Sequence, residues 1–483
     1  MSEALRSRLR TRLGDLGAPS AEVTEMRALT GGASRRLWEV RTDAPGEWAR
    51  FVLRMDHPSS QDPEGNEQEA AALRAAHAAG VPCPRLLDAS GDPDVLGAPY
   101  LLLTFAEGET IARRVLRDER YAAARSALAA QLGTVLGRIA QVDTEGLELD
   151  DTADPVAALL ESYAAVGTPR PALLLGLREL ARRRPEPAPR RTLVHGDFRL
   201  GNLMIDEQGL ASVLDWELVH RGDPFEDLGY VCMRAWRFGG AGRVAGVGEA
   251  DELLDAYETV TGFRPTEAQL LWWEAVATAW WGVGCLRQMQ RSAPGHAREL
   301  ELLAIGRRTA EQEHDLLELL YPGVPPAPHP GAGTAVRDGS SAGLRPPARH
   351  LAAENAPAPP VPLFTSPTAA QLLAGLGGYL ERDLVRGEGE PDRFTARVAR
   401  NVVGLLERED ALREEADRWH GRALAHLGAA DEAELAERIR ALPDTGPAHT
   451  EVREIVGVLK AAARLRLAAS NPGYASADGS GLL

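Results

Sequence analysis

Three polar side chains, Asp197, Asn202 and Asp215, stand where their chemistry could act together. Each lies beside a short apolar run bounded by glycine or charged residues, a pattern that indicates strands rather than helices. The runs are 192–194, 203–205 and 210–214. The three side chains are therefore expected at strand ends, where polar groups can converge on a ligand. A carboxylate there can orient a hydroxyl group and accept its proton, and carboxylate and amide oxygens are ligands that Mg²⁺ prefers.

The spacing of these residues narrows the chemistry to phosphoryl transfer. His195-Gly196-Asp197, four further residues and Asn202 repeat the spacing of the protein kinase catalytic loop, H-R-D-x-x-x-x-N. Asp215 then begins Asp-Trp-Glu, where kinases place their metal-binding D-F-G. On this template Asp197 is the catalytic base, Asn202 and Asp215 hold the metal, and His195 is structural. Any one of these residues alone is equally well explained as a turn or cap residue, but the whole ordered set is not.

The segments HGDFRLGN, LDWE and GDPFEDLG resemble the aminoglycoside phosphotransferase / choline kinase-like family. Within that family the chain is most similar to the branch related to the kinase domains of the acyl-CoA dehydrogenase 10 and 11 proteins. The resemblance extends over about residues 20–320. It implies an α+β, bilobal protein kinase-like fold with a small β-rich N-lobe and a large helical C-lobe. It also implies ATP and Mg²⁺ as cofactors and a small-molecule hydroxyl as phosphate acceptor.

The same resemblance implies that Asp227 braces the catalytic loop from the next helix. Glu217 follows the metal ligand, where it could support the metal shell. Arg199 would meet a phosphate or a substrate anion, although a local ion pair explains it equally well.

Upstream, Gly31, Gly32 and Ser34 lie in a turn between two predicted strands. Glycine permits close backbone approach, so such a turn can bind phosphate oxygens through exposed N–H groups. An ordinary hairpin is the alternative. After the helix that follows, the apolar strand 100–105 leads into a change of direction that resembles the kinase hinge. Thr104 and Ala106 are therefore assigned to nucleotide binding.

The third strand carries Arg54 where kinases carry a lysine, and Lys460 is the only lysine of the chain. A guanidinium group can bind phosphate bidentately, so a phosphate-binding role remains compatible with arginine. The resemblance assigns its glutamate partner to Glu69 in the helix that begins near residue 65. Solvent-exposed positions are the alternative for both side chains.

Composition bounds the remaining possibilities. The chain has 483 residues, of which 44% are hydrophobic and 26% charged, as in globular proteins. Its formal net charge of −16 argues against nucleic-acid binding, and no apolar run reaches the length of a membrane span. Leucines at helical spacing near the N-terminus indicate an ordinary amphipathic helix rather than a leader. The three scattered cysteines predict no disulfide framework and favour a cytoplasmic location.

The domain organisation follows from helical periodicity and from one segment rich in proline and glycine. The N-lobe is predicted at about 20–105 and the C-lobe at about 109–320, within a phosphotransferase domain of residues 1–320. The four tryptophans between 272 and 281 fit a packed helical core better than an aromatic cage. The rest of the chain divides into a linker (321–363), an all-α bundle of unknown function (364–470) and a flexible tail (471–483). A homodimer or a partner protein is expected to use the bundle.

The sequence thus predicts an ATP- and Mg²⁺-dependent small-molecule kinase. The branch that it resembles suggests a hydroxyacyl-CoA or a related metabolite as acceptor. An aminoglycoside or another antibiotic is the first alternative. A nucleotide-binding pseudokinase that acts as an interaction module is the second, since the strand lysine is missing.

Overall fold

The computed structural model describes residues 3–19, 21–29, 35–57, 61–151, 153–296, 298–330, 358–386, 393–443 and 449–476. The predicted phosphate-binding residues Gly31, Gly32 and Ser34 lie outside the described residues, and so does much of the predicted linker. Their assigned roles stay predictions.

The strands divide into one five-stranded sheet and two small ribbons. The large sheet is antiparallel with the order β1-β2-β3-β5-β4, while β6 pairs with β9 and β7 with β8. The strands are β1 (Val23–Ala28), β2 (Arg35–Thr42), β3 (Arg50–Asp56), β4 (Leu86–Ser90), β5 (Tyr100–Thr104), β6 (Thr192–Val194), β7 (Leu203–Ile205), β8 (Leu210–Val213) and β9 (His220–Gly222).

Helices make up most of the described remainder, so the predicted α+β class, with its β-rich N-terminal part, is confirmed. Up to residue 182 they are α1 (Glu3–Asp15), α2 (Pro63–Ala78), α3 (Pro93–Leu96), α4 (Ala112–Arg117), α5 (Ala122–Ile139), α6 (Pro155–Val166) and α7 (Pro171–Arg182). Beyond the catalytic segment they are α8 (Phe225–Cys232), α9 (Ala250–Thr261), α10 (Glu267–Gln290), α11 (Glu299–Arg307), α12 (Thr309–Leu320), α13 (Ala369–Tyr379), α14 (Arg393–His426), α15 (Glu432–Ala441), α16 (His449–Ser470) and α17 (Pro472–Ser476). Among the described residues, no helix is long and apolar enough to cross a membrane.

The two faces of the large sheet have different tasks because successive side chains of a strand point to opposite sides. Phe51 and Leu53 of β3 are buried in a core cluster with Leu9 and Leu13, which lie on the predicted amphipathic helix α1. The alternate positions of the same strand, such as Arg54, face a cavity instead. The core thus fixes the cavity face of the sheet.

Strand β9 carries a histidine whose charge depends on the next helix. His220 Nε2 lies 3.3 Å from Glu226 Oε2, and Nδ1 lies 3.0 Å from the Leu218 carbonyl oxygen. Burial lowers the pKa of His220, but the Glu226 carboxylate and the hydrogen bonds outweigh burial and raise that pKa to about 9. The folded-state pKa therefore exceeds the unfolded value of about 6.5. The pair stabilises the fold fully below pH ~6.5 and loses this contribution as pH rises through the folded-state pKa.

Between about pH 6 and about pH 10 we expect the wild-type protein to lose about 3 kcal/mol of unfolding free energy, at roughly 1.4 kcal/mol per pKa unit. His220→Gln should not show this loss. Urea denaturation of both proteins across this range measures the difference. Glu226→Gln should flatten the wild-type pH dependence in the same way. Parallel stability curves for wild type and His220→Gln would contradict the assignment.

The chain separates into two compact units, residues 1–153 with 185–274 and residues 154–184 with 275–483. In the second unit, α12 packs on α16 and α7 packs on α15, so helices from both sides of the predicted linker share one core. Buried Arg170 forms an ion pair with buried Glu313 in this unit. The boundaries of these two units therefore differ from the predicted boundaries near residues 320 and 364. The predicted domain boundaries stay a prediction.

In the second unit, the structure differs from the expectations from sequence at two places. Apolar residues recur at heptad-like spacing from Phe394 to Trp419, a pattern that predicts one continuous buried face on α14. Phe394 is 49% exposed, whereas Val402, Leu405 and Trp419 farther along are buried. Residues 472–476, assigned to the tail, form the short helix α17 because the side chain of Tyr474 packs on Ala310 and Leu467.

Candidate active site

The loop between β6 and β7 carries the predicted catalytic residues, and its shape follows from local sequence. The three apolar runs form β6, β7 and β8 as predicted, so 195–202 is the connection between two ribbons. Gly196 has φ +82°, and a Cβ there would lie 2.5 Å from the Leu218 carbonyl oxygen. Only glycine fits this position without strain. The arginine of the kinase H-R-D motif has no room here.

Hydrogen bonds to both oxygens of Asp197 fix its carboxylate. Oδ1 accepts hydrogen bonds from Arg199 Nε at 2.9 Å and from the Tyr230 hydroxyl at 2.6 Å. Oδ2 accepts one from Asn202 Nδ2 at 2.6 Å. Because the amide nitrogen of Asn202 faces Asp197, its amide oxygen remains the acceptor group for a cation. The Asp197 side chain is 14% exposed, so a substrate can reach it.

His195 and Asp227 hold this loop from behind. The backbone N–H groups of His195 and Gly196 donate to the two carboxylate oxygens of Asp227, at 2.7 and 3.0 Å. Burial raises the pKa of Asp227 to about 7, although these two hydrogen bonds favour its ionised form. The imidazole accepts from the Asp197 N–H through Nδ1, which leaves Nε2 to donate to the Leu214 carbonyl. Burial lowers the pKa of His195 to about 4, so the ring is neutral at pH ~7 and has a structural task.

Asp215 follows β8 in a left-handed backbone conformation, with φ +63°. Burial first, and then the nearby charges of Glu217 and Glu69, raise the pKa of Asp215 to about 7. This excess of negative charge fits a cation. Among the described residues, no group of three or more His, Cys, Asp or Glu side chains could hold a metal. Mg²⁺ does not need one, since it commonly uses one or two protein oxygens together with water and phosphates. Asp215 and Asn202 fit that donor set.

A cavity of about 340 Å³ joins these residues to the large sheet. Its apolar wall combines Leu37, Val52 and Leu103 of the sheet with Met204 and Leu214. An apolar slot beside a polar end is the usual form of a small-ligand site. Thr104 and Ala106 line the slot, as expected for a hinge. The Thr104 N–H already donates to the Arg85 carbonyl oxygen, at 2.9 Å.

The polar end of the cavity holds the predicted cation and its glutamate. Arg54 Nη2 donates to Glu69 Oε2 in a short ion pair, and both side chains are buried. Burial would raise the pKa of Glu69, but Arg54 and Arg35 hold it below its usual value. The neighbouring Gln68 donates to the Val219 carbonyl oxygen at 2.7 Å and thereby ties α2 to the loop after Asp215. Glu67, two residues before Glu69 on α2 and therefore on another face of the helix, is exposed.

Sequence reasoning missed two residues of this site, Arg35 and Tyr230. Arg35 opens β2 and contacts Glu69 directly, at 2.6 Å. The sequence signal that could have identified Arg35 is its spacing of two residues from Leu37, which places both side chains on one face of β2. Tyr230 lies one helical turn after Asp227 in α8, and this spacing alone does not point to Asp197.

The Tyr230 hydroxyl offers a direct test of how Asp197 is oriented. A hydrogen bond to a charged group contributes roughly 1.5–3 kcal/mol, so Tyr230→Phe is expected to lower kcat of phosphoryl transfer about tenfold or more. Nucleotide affinity should not change, because Tyr230 is not among the residues that line the cavity. Steady-state kinetics together with calorimetric nucleotide binding measure both quantities.

Tyr257→Phe is the matched control, since its buried hydroxyl has no hydrogen-bond partner among the described residues. We expect that variant to keep wild-type rates. An unchanged kcat in Tyr230→Phe would show that Arg199 and Asn202 suffice to orient Asp197.

Comparison with known proteins places this geometry in context. Residues 25–268 match the sequence profile of the phosphotransferase enzyme family, and residues 388–474 match a domain of unknown function, DUF6285. Acyl-CoA dehydrogenase family member 10 from Mus musculus is 31% identical over 234 residues, which are 46% of this chain and 21% of that protein. Acyl-CoA dehydrogenase family member 11 from Homo sapiens is 24% identical over 245 residues, 47% of this chain and 30% of that protein. The aligned parts thus span less than a third of these relatives.

A solved structure from Ralstonia eutropha, provisionally described as an aminoglycoside phosphotransferase, superposes with a TM-score of 0.52 at 22% identity. The match covers 65% of this chain and 97% of that one. At this identity the likeness concerns the fold alone, and the predicted protein kinase-like fold is confirmed.

Proposed function

Because the chain belongs to the phosphotransferase enzyme family, we propose that it transfers the γ-phosphate of ATP, with Mg²⁺, to a hydroxyl group of a small molecule. One observation carries the proposal. Asp197, 14% exposed, is held by Asn202, which lines the same cavity as Asp215 and the Arg54–Glu69 ion pair. A base, two oxygen ligands and a cation are the components that phosphoryl transfer requires.

In this mechanism the residues of the chain mainly bind and orient. Mg²⁺, when bound, neutralises phosphate charge, and Asn202 and Asp215 are the residues that would hold it. Asp197 orients the acceptor hydroxyl and takes its proton. The sheet residues Leu37, Val52 and Leu103 bind the base of the nucleotide and exclude water. Arg54 holds the phosphates.

For the acceptor we propose an anionic metabolite, a hydroxyacyl-CoA or a related compound. The names of the acyl-CoA dehydrogenase relatives support this class, although the chain matches only a part of them. A second cavity of about 450 Å³ supports it independently. It is lined by Arg117 and Arg125 and by no acidic side chain among the described residues, which disfavours a polycationic aminoglycoside.

An aromatic path relates this second cavity to the catalytic loop. The Arg199 guanidinium lies over the Trp236 ring at 4.5 Å, and Trp236 lies 6.1 Å from the ring of Phe238, which lines the cavity. Arg199 also contacts Asp197. Of the other arginines near this region, Arg237 is paired with buried Glu274 and is therefore not available to an acceptor.

The test is turnover of MgATP in the presence of hydroxyacyl-CoAs, aminoglycosides or choline-like alcohols. We expect hydroxyacyl-CoAs to stimulate ADP release and to become phosphorylated, and Arg117→Ala to raise the KM for that acceptor alone. Stimulation by aminoglycosides would replace the acceptor class but keep the kinase. Nucleotide binding without turnover on any acceptor would support the pseudokinase instead.

The remaining features of the chain extend this proposal. We propose a cytoplasmic enzyme whose C-terminal helices, which include the DUF6285 match, bind a second copy or a partner protein. Light scattering of the purified chain distinguishes a monomer from a dimer.

A further inference from the structure

Two arginines, rather than one strand cation, meet the buried glutamate at the polar end of the cavity. Arg35 Nη1 donates to Glu69 Oε2 at 2.6 Å, and Arg54 Nη2 donates to the same oxygen. The side chains of Arg35, Arg54 and Glu69 are 10%, 7% and 1% exposed. Burying several charges together is unfavourable unless each charge is paired. The partners of each arginine therefore decide which arginine can still bind a ligand.

Arg35 is committed to carboxylates of the protein itself. Its Nε lies 3.2 Å from Asp56 Oδ1 and 3.8 Å from Glu217 Oε2, while Nη1 holds Glu69. The β2–β3 register places Arg35 directly opposite Asp56, so strand pairing fixes this contact. Arg35 thereby links β2, β3, α2 and the loop after Asp215.

Arg54 is bound on one side only. Its single ion pair among the described residues is with Glu69, and its buried Nε has no hydrogen-bond partner among them. A buried donor without a partner is unfavourable, and a ligand oxygen that accepted its hydrogen bond would remove this cost. The β2–β3 register places Leu37 opposite Arg54, and both line the cavity. Arg54 is thus the cation with an unused donor edge at the ligand site.

We propose that Arg35 is a positioning residue that shares Glu69 with Arg54, so that the Nε–H of Arg54, which has no partner among the described residues, is left to bind a nucleotide phosphate. Arg35 lines the same cavity, but its Nε and Nη1 are already used by carboxylates of the protein, so its role in this proposal is to position Glu69. This arrangement lets a chain without a strand lysine hold a triphosphate through a guanidinium group. The inference rests on the proposed nucleotide-binding function.

A double-mutant cycle between Arg35 and Glu69 tests the proposal, because residues that act through one another have non-additive effects. Arg35→Met and Glu69→Gln are each expected to weaken the binding of MgADP about tenfold, measured by calorimetry. The double variant should bind no more than about twofold more weakly than Glu69→Gln alone. Arg35→Lys should recover part of the affinity, and the KM for the acceptor should equal that of the wild type in all four variants.

Arg36→Met is the matched control. Arg36 is the next residue of β2, exposed and placed over the ring of Trp38 on the other face of the sheet. That variant should bind MgADP like the wild type. Wild-type affinity in Arg35→Met, or losses that multiply to about a hundredfold in the double variant, would overturn the proposal. A wild-type protein that binds no nucleotide would instead overturn the proposed function, and the inference with it.

Discussion

Replacing Asp197 by asparagine or alanine is expected to lower kcat of phosphoryl transfer by roughly 10²–10⁴-fold, the usual contribution of a positioned general base. Neither variant can accept the proton of the acceptor hydroxyl. Nucleotide affinity should change by less than about threefold, because Asp197 is not among the residues that line the 340 Å³ cavity. A coupled assay for ADP measures turnover, and calorimetry with MgADP measures binding.

The two substitutions differ in what they do to Asn202. In Asp197→Asn one of the two acceptor oxygens becomes an NH₂ donor, so the hydrogen bonds from Arg199, Tyr230 and Asn202 can no longer all be accepted. Asp197→Ala introduces no such donor and keeps the hydrogen bond from Asn202 Nδ2 to the backbone carbonyl oxygen of residue 197. Glu207→Gln, in the exposed turn between β7 and β8, is the control and should keep wild-type rates. Wild-type turnover in Asp197→Ala would exclude Asp197 as the base.

The catalytic block could be predicted from sequence because its geometry is local. Asp197 and Asn202 occupy one loop, and the runs that became β6, β7 and β8 are separated by only a few residues. Spacing along the chain therefore nearly fixes the spacing in space. The resemblance to aminoglycoside phosphotransferases and to the kinase-like parts of acyl-CoA dehydrogenase family members 10 and 11 is confirmed by the family match and the relatives.

The rest of the site depends on contacts between distant parts of the chain. Tyr230 reaches Asp197 only because α8 turns back onto the catalytic loop, where Asp227 binds the loop backbone. Arg35 on β2 contacts Glu69 on α2, and all of β3 lies between them in the sequence. Only the pairing register of the sheet determines which face of β2 meets α2. Successive side chains of β2 point to two opposite faces, but no local sequence pattern indicates which face lines a cavity.

A similar limit applies to the helical part of the chain. Periodicity identified α14 and most of its buried face, but the exposed Phe394 shows that the helix begins beyond the core on which it packs. The sharing of one core by α7, α12, α15 and α16 is a property of helices that are far apart in sequence. Composition located the proline-rich segment between them without indicating which helices meet.

Asp215→Asn is expected to lower kcat/KM for MgATP by about a hundredfold or more, since a metal ion supplies several kcal/mol of charge stabilisation. Asparagine is the informative substitution because the backbone of Asp215 has φ +63°, a conformation that asparagine tolerates better than alanine does. The variant therefore removes the charge of a cation ligand without straining the loop. Raising the Mg²⁺ concentration should restore only a small part of the activity.

A binding measurement separates loss of the metal from loss of the fold. In the wild type, Mg²⁺ should tighten the binding of ADP, because metal and nucleotide bind each other and the site together. In Asp215→Asn the dissociation constants with and without Mg²⁺ should become nearly equal, while metal-free ADP binds as before. Glu207→Gln, in the exposed turn between β7 and β8, should retain the Mg²⁺ effect. If Mg²⁺ still tightened ADP binding in Asp215→Asn as strongly as in the wild type, Asp215 would not be the metal ligand, and its burial beside Glu69 and Glu217 would need another cation to balance it.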